Sequence, residues 1–217
     1  MNAGLFVTGT GTEVGKSVVA AVIARGGAAA GLDVRVFKPA VSGLDAGGES
    51  DHALLRRASG SEQSDDEIAP YRFGPPLSPH LAAELAGVEI DPQRVLEGAA
   101  VARSGAGLFV CEGVGGLLVP LTPRWLVRDL AVELGLPLVI VAPPALGTIN
   151  HTLLTLEAAR AAGLEVRAVV LSRWPETPGE LERSNRETIA ELGAVEVLTL
   201  AEIDLADPQA WPALPLP

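Results

Sequence analysis

The most conspicuous shortage in this sequence is lysine. Of 217 residues, 16 are Lys or Arg, and only Lys16 and Lys38 are lysine. Asp and Glu number 27, so the formal net charge is −11. Binding to a nucleic-acid backbone or to an anionic membrane surface depends on clustered basic residues. The composition therefore argues against both kinds of partner, and an anion has to be bound in a local site.

Cysteine, aromatic residues and long apolar runs are also scarce. The single cysteine, Cys111, excludes an intramolecular disulfide and a multi-cysteine metal site, and its apolar surroundings predict an inert core residue. The longest uncharged stretch, 134–156, contains three prolines, Asn150 and His151, so it is not a membrane span. The first residues show no basic signal-peptide region. We therefore expect a cytoplasmic protein.

Short apolar runs alternate with helical patterns along the chain. Strands are predicted at 5–7, 34–37, 108–111, 138–141, 166–171 and 195–198. Helices are predicted at 17–30, 51–58, 81–85, 92–103, 125–134, 150–162 and 180–192, with a loop over 60–80 and an irregular tail from about residue 200. Such alternation is typical of βαβ units. With 48% hydrophobic and 4% aromatic residues, it predicts one α/β domain over 1–217, a mostly parallel sheet flanked by helices.

A glycine-rich segment follows the first predicted strand, where parallel sheets bind ligands. It reads Gly9-Thr10-Gly11-Thr12-Glu13-Val14-Gly15-Lys16-Ser17 and opens a helix. Backbone N–H groups and the helix N-terminus favour phosphate, Lys16 reaches the terminal phosphates, and Ser17 is placed to ligate Mg²⁺. Gly9 stands one residue earlier than the standard spacing requires. The alternative is a glycine-rich turn that binds no ligand.

The second lysine follows the second predicted strand, in Lys38-Pro39-Ala40-Val41-Ser42-Gly43. A lysine at a strand end is usually a surface residue. Here the chain uses arginine for positive charge everywhere except at Lys16 and Lys38. A lysine is a compact point charge that binds a small anion without a planar fork. We therefore predict one anionic site shared by both lysines.

Two carboxylates complete this predicted site. Asp51 follows a glycine-containing loop, and Glu112 ends a strand before Gly113-Val114-Gly115-Gly116, where glycine permits close backbone approach. An acid at a buried strand end is costly unless it is paired or metal-bound. With Ser17, the two acids offer three oxygen ligands suited to Mg²⁺. For Asp51 a helix-cap role is an equally good interpretation.

A third candidate is the segment Ala145-Leu146-Gly147-Thr148-Ile149-Asn150-His151, which follows the fourth predicted strand. The backbone N–H groups at this helix start can hold a carboxylate. Simple capping by Thr148 or Asn150 is the alternative that the sequence alone favours. The histidines show no metal-ligand spacing, so no ligand role is assigned to His52, His80 and His151.

Together these segments resemble the dethiobiotin synthetase family. The matching residues run in the family's order and comprise 7–17, Lys38-Pro39, Ser42-Gly43, Asp51, Ser78-Pro79-His80, 112–116 and 146–151. Each motif occurs in other P-loop ATPases, but the ordered set is specific, and the displaced first glycine is a family trait. The resemblance implies a P-loop NTPase-like, ATP- and Mg²⁺-dependent ligase that converts 7,8-diaminopelargonate (7,8-diaminononanoate) and CO₂ into dethiobiotin through a phosphorylated carbamate.

The resemblance also implies residue roles. The catalytic residues would be Lys16, Lys38 and Thr12. ATP would contact Gly11, Thr12, Glu13, Val14, Gly15, Lys16, Ser17, Glu112 and Ser172, and Mg²⁺ would be held by Ser17, Asp51 and Glu112. Substrate would contact Lys38, Ser42 and Gly115 of one subunit and Gly147, Thr148, Ile149 and Asn150 of the neighbouring subunit in a homodimer.

Some residues depart from the family pattern. Gly11 stands where some relatives carry an acid, Ala145 where some carry lysine, and Ser172 where an asparagine that recognises adenine occurs. The identity of the base is therefore left open. An amide-forming ligase of the cobyrinic acid type would normally add a glutamine-hydrolysing domain, for which the chain is too short. A partitioning ATPase typically carries a further lysine early in the phosphate loop, and this loop has Lys16 alone.

Overall fold

A computed structural model describes residues 3–216 as one α/β unit. The strands are β1 (Ala3–Gly9), β2 (Val34–Phe37), β3 (Leu108–Gly116), β4 (Pro120–Thr122), β5 (Trp125–Leu126), β6 (Leu138–Ala142), β7 (Val166–Trp174) and β8 (Val197–Ala201). The helices are α1 (Lys16–Ala29), α2 (Asp51–Ser59), α3 (Asp65–Ile68), α4 (Pro79–Leu85), α5 (Pro92–Arg103), α6 (Val127–Leu134), α7 (Thr148–Ala161) and α8 (Glu180–Gly193). Short 3₁₀ turns occur at Leu44–Ala46 and Pro208–Ala210.

Six strands form one parallel sheet in the order β2-β3-β1-β6-β7-β8, and β4 pairs with β5 in a separate antiparallel hairpin. The predicted mostly parallel sheet flanked by helices is thereby confirmed. Strand β1 lies in the middle of the sheet, between β3 and β6. The segments that follow these strands therefore meet at one edge, where parallel sheets place their ligands.

Helices cover both faces of the sheet because strand side chains alternate between them. In β1, Phe6 joins the core beneath α4, α5 and α6, whereas Val7 joins the core beneath α1 and α2. Cys111 is fully buried in the first of these cores, and burial raises the pKa of its thiol. Among residues 3–216, no helix is long and apolar enough to cross a membrane.

Several predicted elements need correction. Strand β3 continues to Gly116, beyond its predicted end at 111, so Glu112 lies inside this strand and does not end it. The predicted loop over 60–80 contains α3, which Ser64 and Glu67 start with a reciprocal capping box. The predicted helix over 125–134 begins as strand β5, and only its later residues are helical. The last strand continues to Ala201, beyond the predicted start of the irregular tail. The residues after it pack against the core that α1 and α2 cover, through apolar side chains that include Ile203, Leu205 and Trp211.

Candidate functional site

The glycine-rich segment forms the turn between β1 and the start of α1. Its own lysine closes the turn, because Lys16 Nζ donates to the Gly11 carbonyl at 2.7 Å. Gly15 and Glu13 both have positive φ angles, 86° and 59°, in the left-handed region. Left-handed residues next to helical ones form concave arrays of backbone N–H groups that bind anions. The geometry of this turn is that of a phosphate-binding loop.

Two glycines of the loop cannot carry a side chain. A Cβ atom on Gly9 would lie 2.7 Å from Val14 Cγ2, and one on Gly15 would lie 2.8 Å from Ser172 Oγ. Both distances are shorter than real Cβ contacts. The displaced first glycine is therefore required here by the packing of Val14 beneath the loop.

Directly beside the loop lies a buried ionic cluster. Lys38 Nζ donates to Glu112 Oε1 at 2.6 Å and contacts Asp51 Oδ2 at 2.9 Å. Ser17 Oγ donates to the same Glu112 oxygen at 2.8 Å. Lys38 directly follows β2, and Glu112 lies inside β3. Ser17 and Asp51 lie at the starts of α1 and α2, so segments far apart in sequence converge on Glu112.

Burial sets the electrostatics of the cluster. Lys38 is 2% exposed and Glu112 is 0% exposed. Burial alone would lower the pKa of Lys38, but the charges of Glu112 and Asp51 outweigh it and raise that pKa. Burial lowers the pKa of Lys16, and Glu112 only partly opposes this. For Glu112, burial raises the pKa against the pull of Lys38. Burial and the charge of Glu112 thus act on the pKa values of both Lys16 and Lys38.

The same residues fit a hard divalent cation. Glu112 Oε2 is buried and has no hydrogen-bond partner, which is costly for a carboxylate oxygen. Ser17 supplies a hydroxyl oxygen, and Asp51 lies across Lys38 from Glu112. No group of three or more His, Cys, Asp or Glu side chains suited to a metal occurs within residues 3–216. Because Mg²⁺ usually takes only one or two carboxylates, with water and phosphate completing its shell, this set suits Mg²⁺.

Thr12 of the phosphate loop lies close to Gly115 near the end of β3. Gly115 has φ 61°, and a Cβ there would lie 2.8 Å from Val119 Cγ2 and 3.6 Å from Thr12 Oγ1. Ser42 lines a cavity of about 120 Å³ that also reaches Asp51. The wall between them is a glycine-rich loop with positive φ at Gly43, Gly47 and Gly48, which is left out of the predicted site. The density of glycine between Ser42 and Asp51 is the signal that could have revealed it.

The start of α7 lies after β6 at the same edge of the sheet. Gly147 occupies the N-cap position with φ 91°, and no side chain caps the helix. The alternative of capping by Thr148 or Asn150 is therefore wrong. Thr148 is buried and its hydroxyl has no partner, Ile149 is half-buried, and Asn150 is exposed. The Thr148 N–H donates to the Ala145 carbonyl at 3.1 Å, whereas no side chain caps the N–H groups of Ile149 and Asn150, which can serve another acceptor.

Ser172 lies at the end of β7, behind the phosphate loop. Its hydroxyl donates to the Val14 carbonyl at 2.5 Å, and the residue is 3% exposed. The structure thus brings Ser172 into contact with the loop itself. Its predicted contact with ATP stays a prediction.

Comparisons with known proteins match this chain to one family over most of its length. The AAA domain family matches residues 3–211. The dethiobiotin synthetase BioD of Anaeromyxobacter dehalogenans, described as ATP-dependent, is 46% identical over 91% of this chain and 88% of its own. The protein of the same name from Bacillus cereus is 45% identical over 91% of this chain and 82% of its own.

Solved structures show the same fold at low identity. ParA of pNOB8, solved bound to nonspecific DNA, has a TM-score of 0.58 at 12% identity and covers 94% of this chain and 86% of its own. The cell division ATPase MinD of Pyrococcus furiosus has a TM-score of 0.54 at 15% identity and covers 95% and 85%. At such identities the likeness shows the fold alone. The curated relatives decide the family: this chain belongs to the ATP-dependent dethiobiotin synthetases.

Proposed function

We propose that this chain is an ATP-dependent ligase of biotin synthesis that converts 7,8-diaminopelargonate and CO₂ into dethiobiotin, with release of ADP and phosphate. The observation that carries the proposal is the contact of the buried Lys38 and Glu112 with each other and with Asp51 and Ser17 beside a phosphate loop. A triphosphate and a carbamate are both anions, and two lysines with a cation neutralise charge as it moves between them.

The proposed reaction has three steps. One amine of the substrate attacks CO₂, forms a carbon–nitrogen bond and loses a proton, which gives a carbamate. A carbamate oxygen then attacks the γ-phosphorus of ATP, and the bond to ADP breaks. Finally the second amine attacks the carbonyl carbon of the mixed anhydride, and the carbon–oxygen bond to phosphate breaks. The ureido ring closes and phosphate leaves.

In this proposal the two lysines hold successive anions. Lys16, at the head of α1, contacts the terminal phosphates, and Lys38 contacts the carbamate. The hydroxyl of Thr12 and the backbone at Gly115, which lie close together, line the reacting groups with Ser42, which shares a cavity with Asp51. Because activation by phosphoryl transfer consists mainly of positioning and charge stabilisation, the site needs no histidine-based acid–base pair.

Mg²⁺ is the proposed metal, held by Ser17, Asp51 and Glu112. The unpartnered Oε2 of Glu112 supports this assignment. When bound, Mg²⁺ neutralises charge on the triphosphate. The chain's own residues prepare its place, since Ser17 and Lys38 both donate to Glu112 Oε1 and so fix the orientation of that carboxylate.

The proposed assembly is a homodimer in which Gly147, Thr148, Ile149 and Asn150 of one subunit bind the substrate carboxylate of the other. The uncapped N–H groups of α7 support such a role. A face of exposed apolar side chains supports the dimer, because surfaces of this kind mark interaction sites. Leu118 and Val132 line a groove between α6 and α7, and Leu146 and Leu154, just before α7 and on it, are also exposed.

One assay tests the activity. Protein, 7,8-diaminopelargonate, bicarbonate, Mg²⁺ and ATP are mixed, and dethiobiotin is sought by mass spectrometry while ADP is measured in parallel. The proposal expects one product molecule for each ADP and no ADP without the diamine. Rapid ATP hydrolysis that ignores the diamine would overturn the ligase function.

A second experiment tests the shared site. Light scattering of the wild-type chain is expected to show a dimer, and Leu118→Glu is expected to shift it toward monomer and raise the KM for the diamine. As a matched control, Leu192→Glu changes an exposed leucine on α8 and should leave both unchanged. A fully active monomer would contradict the proposed carboxylate site.

A further inference from the structure

We infer that Ser172 is a positioning residue that holds the phosphate loop in its anion-binding conformation and does not read the base of the nucleotide. The inference rests on the proposed binding of ATP at this loop. It differs from the role expected of Ser172 by resemblance, which is contact with the base.

The hydrogen bond of Ser172 is long-range in sequence and close in space. Its hydroxyl donates to the Val14 carbonyl at 2.5 Å across a separation of 158 residues. Ser172 is almost completely buried, as are Leu171 before it and the core of β7. A hydroxyl on a packed strand is held more precisely than one on a loop. The hydrogen bond therefore attaches the phosphate loop to a rigid strand.

The partner of this hydrogen bond explains its effect. The Val14 carbonyl and the Gly15 N–H belong to one planar trans peptide, so they point in opposite directions. When Ser172 draws the Val14 carbonyl toward β7, the Gly15 N–H is turned away from β7. Gly15 has φ 86° and leads directly into α1. The hydrogen bond thus orients one of the backbone donors on which phosphate binding at a helix start depends.

Close packing makes the arrangement specific. A Cβ on Gly15 would lie 2.8 Å from Ser172 Oγ and 3.0 Å from Ser172 Cβ, so loop and strand touch without spare room. Immediately after Ser172 the regular pairing of β7 with β8 is interrupted, and Arg173 adopts a left-handed φ of 52°. Ser172 is therefore the last residue of β7 that the regular sheet can hold in place.

The same contact argues against base recognition. A serine hydroxyl has one hydrogen to donate, and the Val14 carbonyl takes it. The hydroxyl oxygen can still accept a hydrogen bond, but Ser172 is only 3% exposed, which leaves that oxygen little access to an incoming base. An asparagine amide, in contrast, offers two donor hydrogens and an acceptor oxygen at once. Loss of the hydroxyl should consequently weaken every phosphate ligand alike, whatever base it carries.

The test compares Ser172→Ala with a matched control. In Ser59→Ala the lost hydroxyl also donates to a main-chain carbonyl, that of Arg56 at 3.0 Å, in an equally buried residue at the far end of α2. Dissociation constants for ATP, GTP, CTP and tripolyphosphate are measured by calorimetry. Ser172→Ala should weaken all four by a similar factor of about 3 to 10, the loss expected for one hydrogen bond. Ser59→Ala should weaken none, and the KM for the diamine should stay unchanged in both.

Two results would overturn the inference. One is a loss confined to ATP, with tripolyphosphate unaffected, since this marks base recognition. The other is unchanged binding of all four ligands. Ser172→Cys carries a weaker donor and should fall between wild type and Ser172→Ala, which gives a second reading if the alanine variant folds poorly. Because tripolyphosphate binding is measured without diamine or bicarbonate, a wild-type chain that binds it but makes no dethiobiotin contradicts the proposed function alone.

Discussion

Lys16 and Lys38 share one small site but stand in opposite surroundings. Lys16 bonds to a neutral main-chain carbonyl, and burial lowers its pKa. Lys38 bonds to two carboxylates, and their charges raise its pKa despite complete burial. Lys16 loses only one hydrogen bond to a neutral group when its ammonium group turns to an incoming phosphate. Lys38 is integral to the buried cluster, so its loss affects both the fold and the chemistry.

The comparison also explains why lysine appears at these two positions in a chain that otherwise uses arginine. The single ammonium group of Lys38 reaches Glu112 at 2.6 Å and Asp51 at 2.9 Å. A planar guanidinium is larger and presents its donors in a fixed fork. We therefore expect that an arginine at position 38 would not reproduce both contacts while facing the proposed carbamate.

The largest expected effect is a difference in stability between variants of the two lysines. Lys38→Met leaves Glu112 buried without its charge partner, so the free energy of unfolding should fall by about 3 to 5 kcal/mol. Lys16→Met removes a hydrogen bond to a neutral carbonyl and should change it by about 1 kcal/mol or less. Urea unfolding of both variants measures the difference. Equal losses would mean that the two lysines do not differ in this way.

The second effect concerns turnover. Lys38→Arg should lower kcat by about 100-fold or more, the scale seen when a donor to developing negative charge is lost. The dissociation constant for ATP should change little, because Lys38 lies outside the phosphate loop. Lys16→Arg should impair ATP binding as well. Near-normal turnover in Lys38→Arg would remove Lys38 from the mechanism.

The third effect is a proton taken up on nucleotide binding. Because burial holds the pKa of Lys16 below 10.5, part of this lysine is neutral at alkaline pH. A bound triphosphate favours the charged form and raises that pKa, so binding takes up protons at pH values between the pKa of the free protein and that of the complex. Calorimetry in two buffers of different ionisation enthalpy measures the uptake. It should vanish in Lys16→Met, and its persistence there would assign the proton to another group.

The smallest effect comes from an exposed ion pair that serves as a baseline for the buried cluster. Arg57 donates two hydrogen bonds to Glu49, which hold the pKa of Glu49 below 4.5. Since the folded-state pKa is depressed, the contribution is present above 4.5 and is lost as the pH falls through the folded-state pKa. Glu49→Gln should lower the free energy of unfolding by about 0.5 kcal/mol at neutral pH. Thermal unfolding across this range should show the two proteins converging in acid, and a constant difference would exclude the pair as its cause.

Much of the sheet and of the buried cluster could be predicted from sequence. Lys16, Lys38 and Glu112 each come after an apolar run that forms a parallel strand, and parallel strands bring their carboxyl ends to one edge. Glu112 itself lies inside β3, because that strand extends past the apolar run to Gly116. The strand at 34–37 and the helix at 92–103 have the predicted bounds, the latter because Asp91 caps it ahead of Pro92. In these places local signals and the overall topology point to the same structure.

The features of the fold and the site that the sequence does not predict depend mainly on contacts between distant segments of the chain. That one oxygen of Glu112 accepts from both Ser17 and Lys38 follows from how α1, β2 and β3 pack. The partner of Ser172 lies 158 residues away. Strand β5 forms because Trp125 pairs with Thr122 in a hairpin, which helical periodicity alone does not indicate. The helix at 65–68 is different, since its capping box from Ser64 to Glu67 is a local signal within the predicted loop.

The central claim is that a carbamate is phosphorylated in the site shared by Lys16 and Lys38. The most direct test supplies heavy-oxygen bicarbonate under conditions in which turnover outpaces exchange with water, and analyses the phosphate released. Attack of the carbamate on ATP predicts that each molecule of dethiobiotin is accompanied by one phosphate carrying an oxygen from the bicarbonate. Dethiobiotin formed alongside phosphate that carries oxygen only from ATP and solvent would contradict the account.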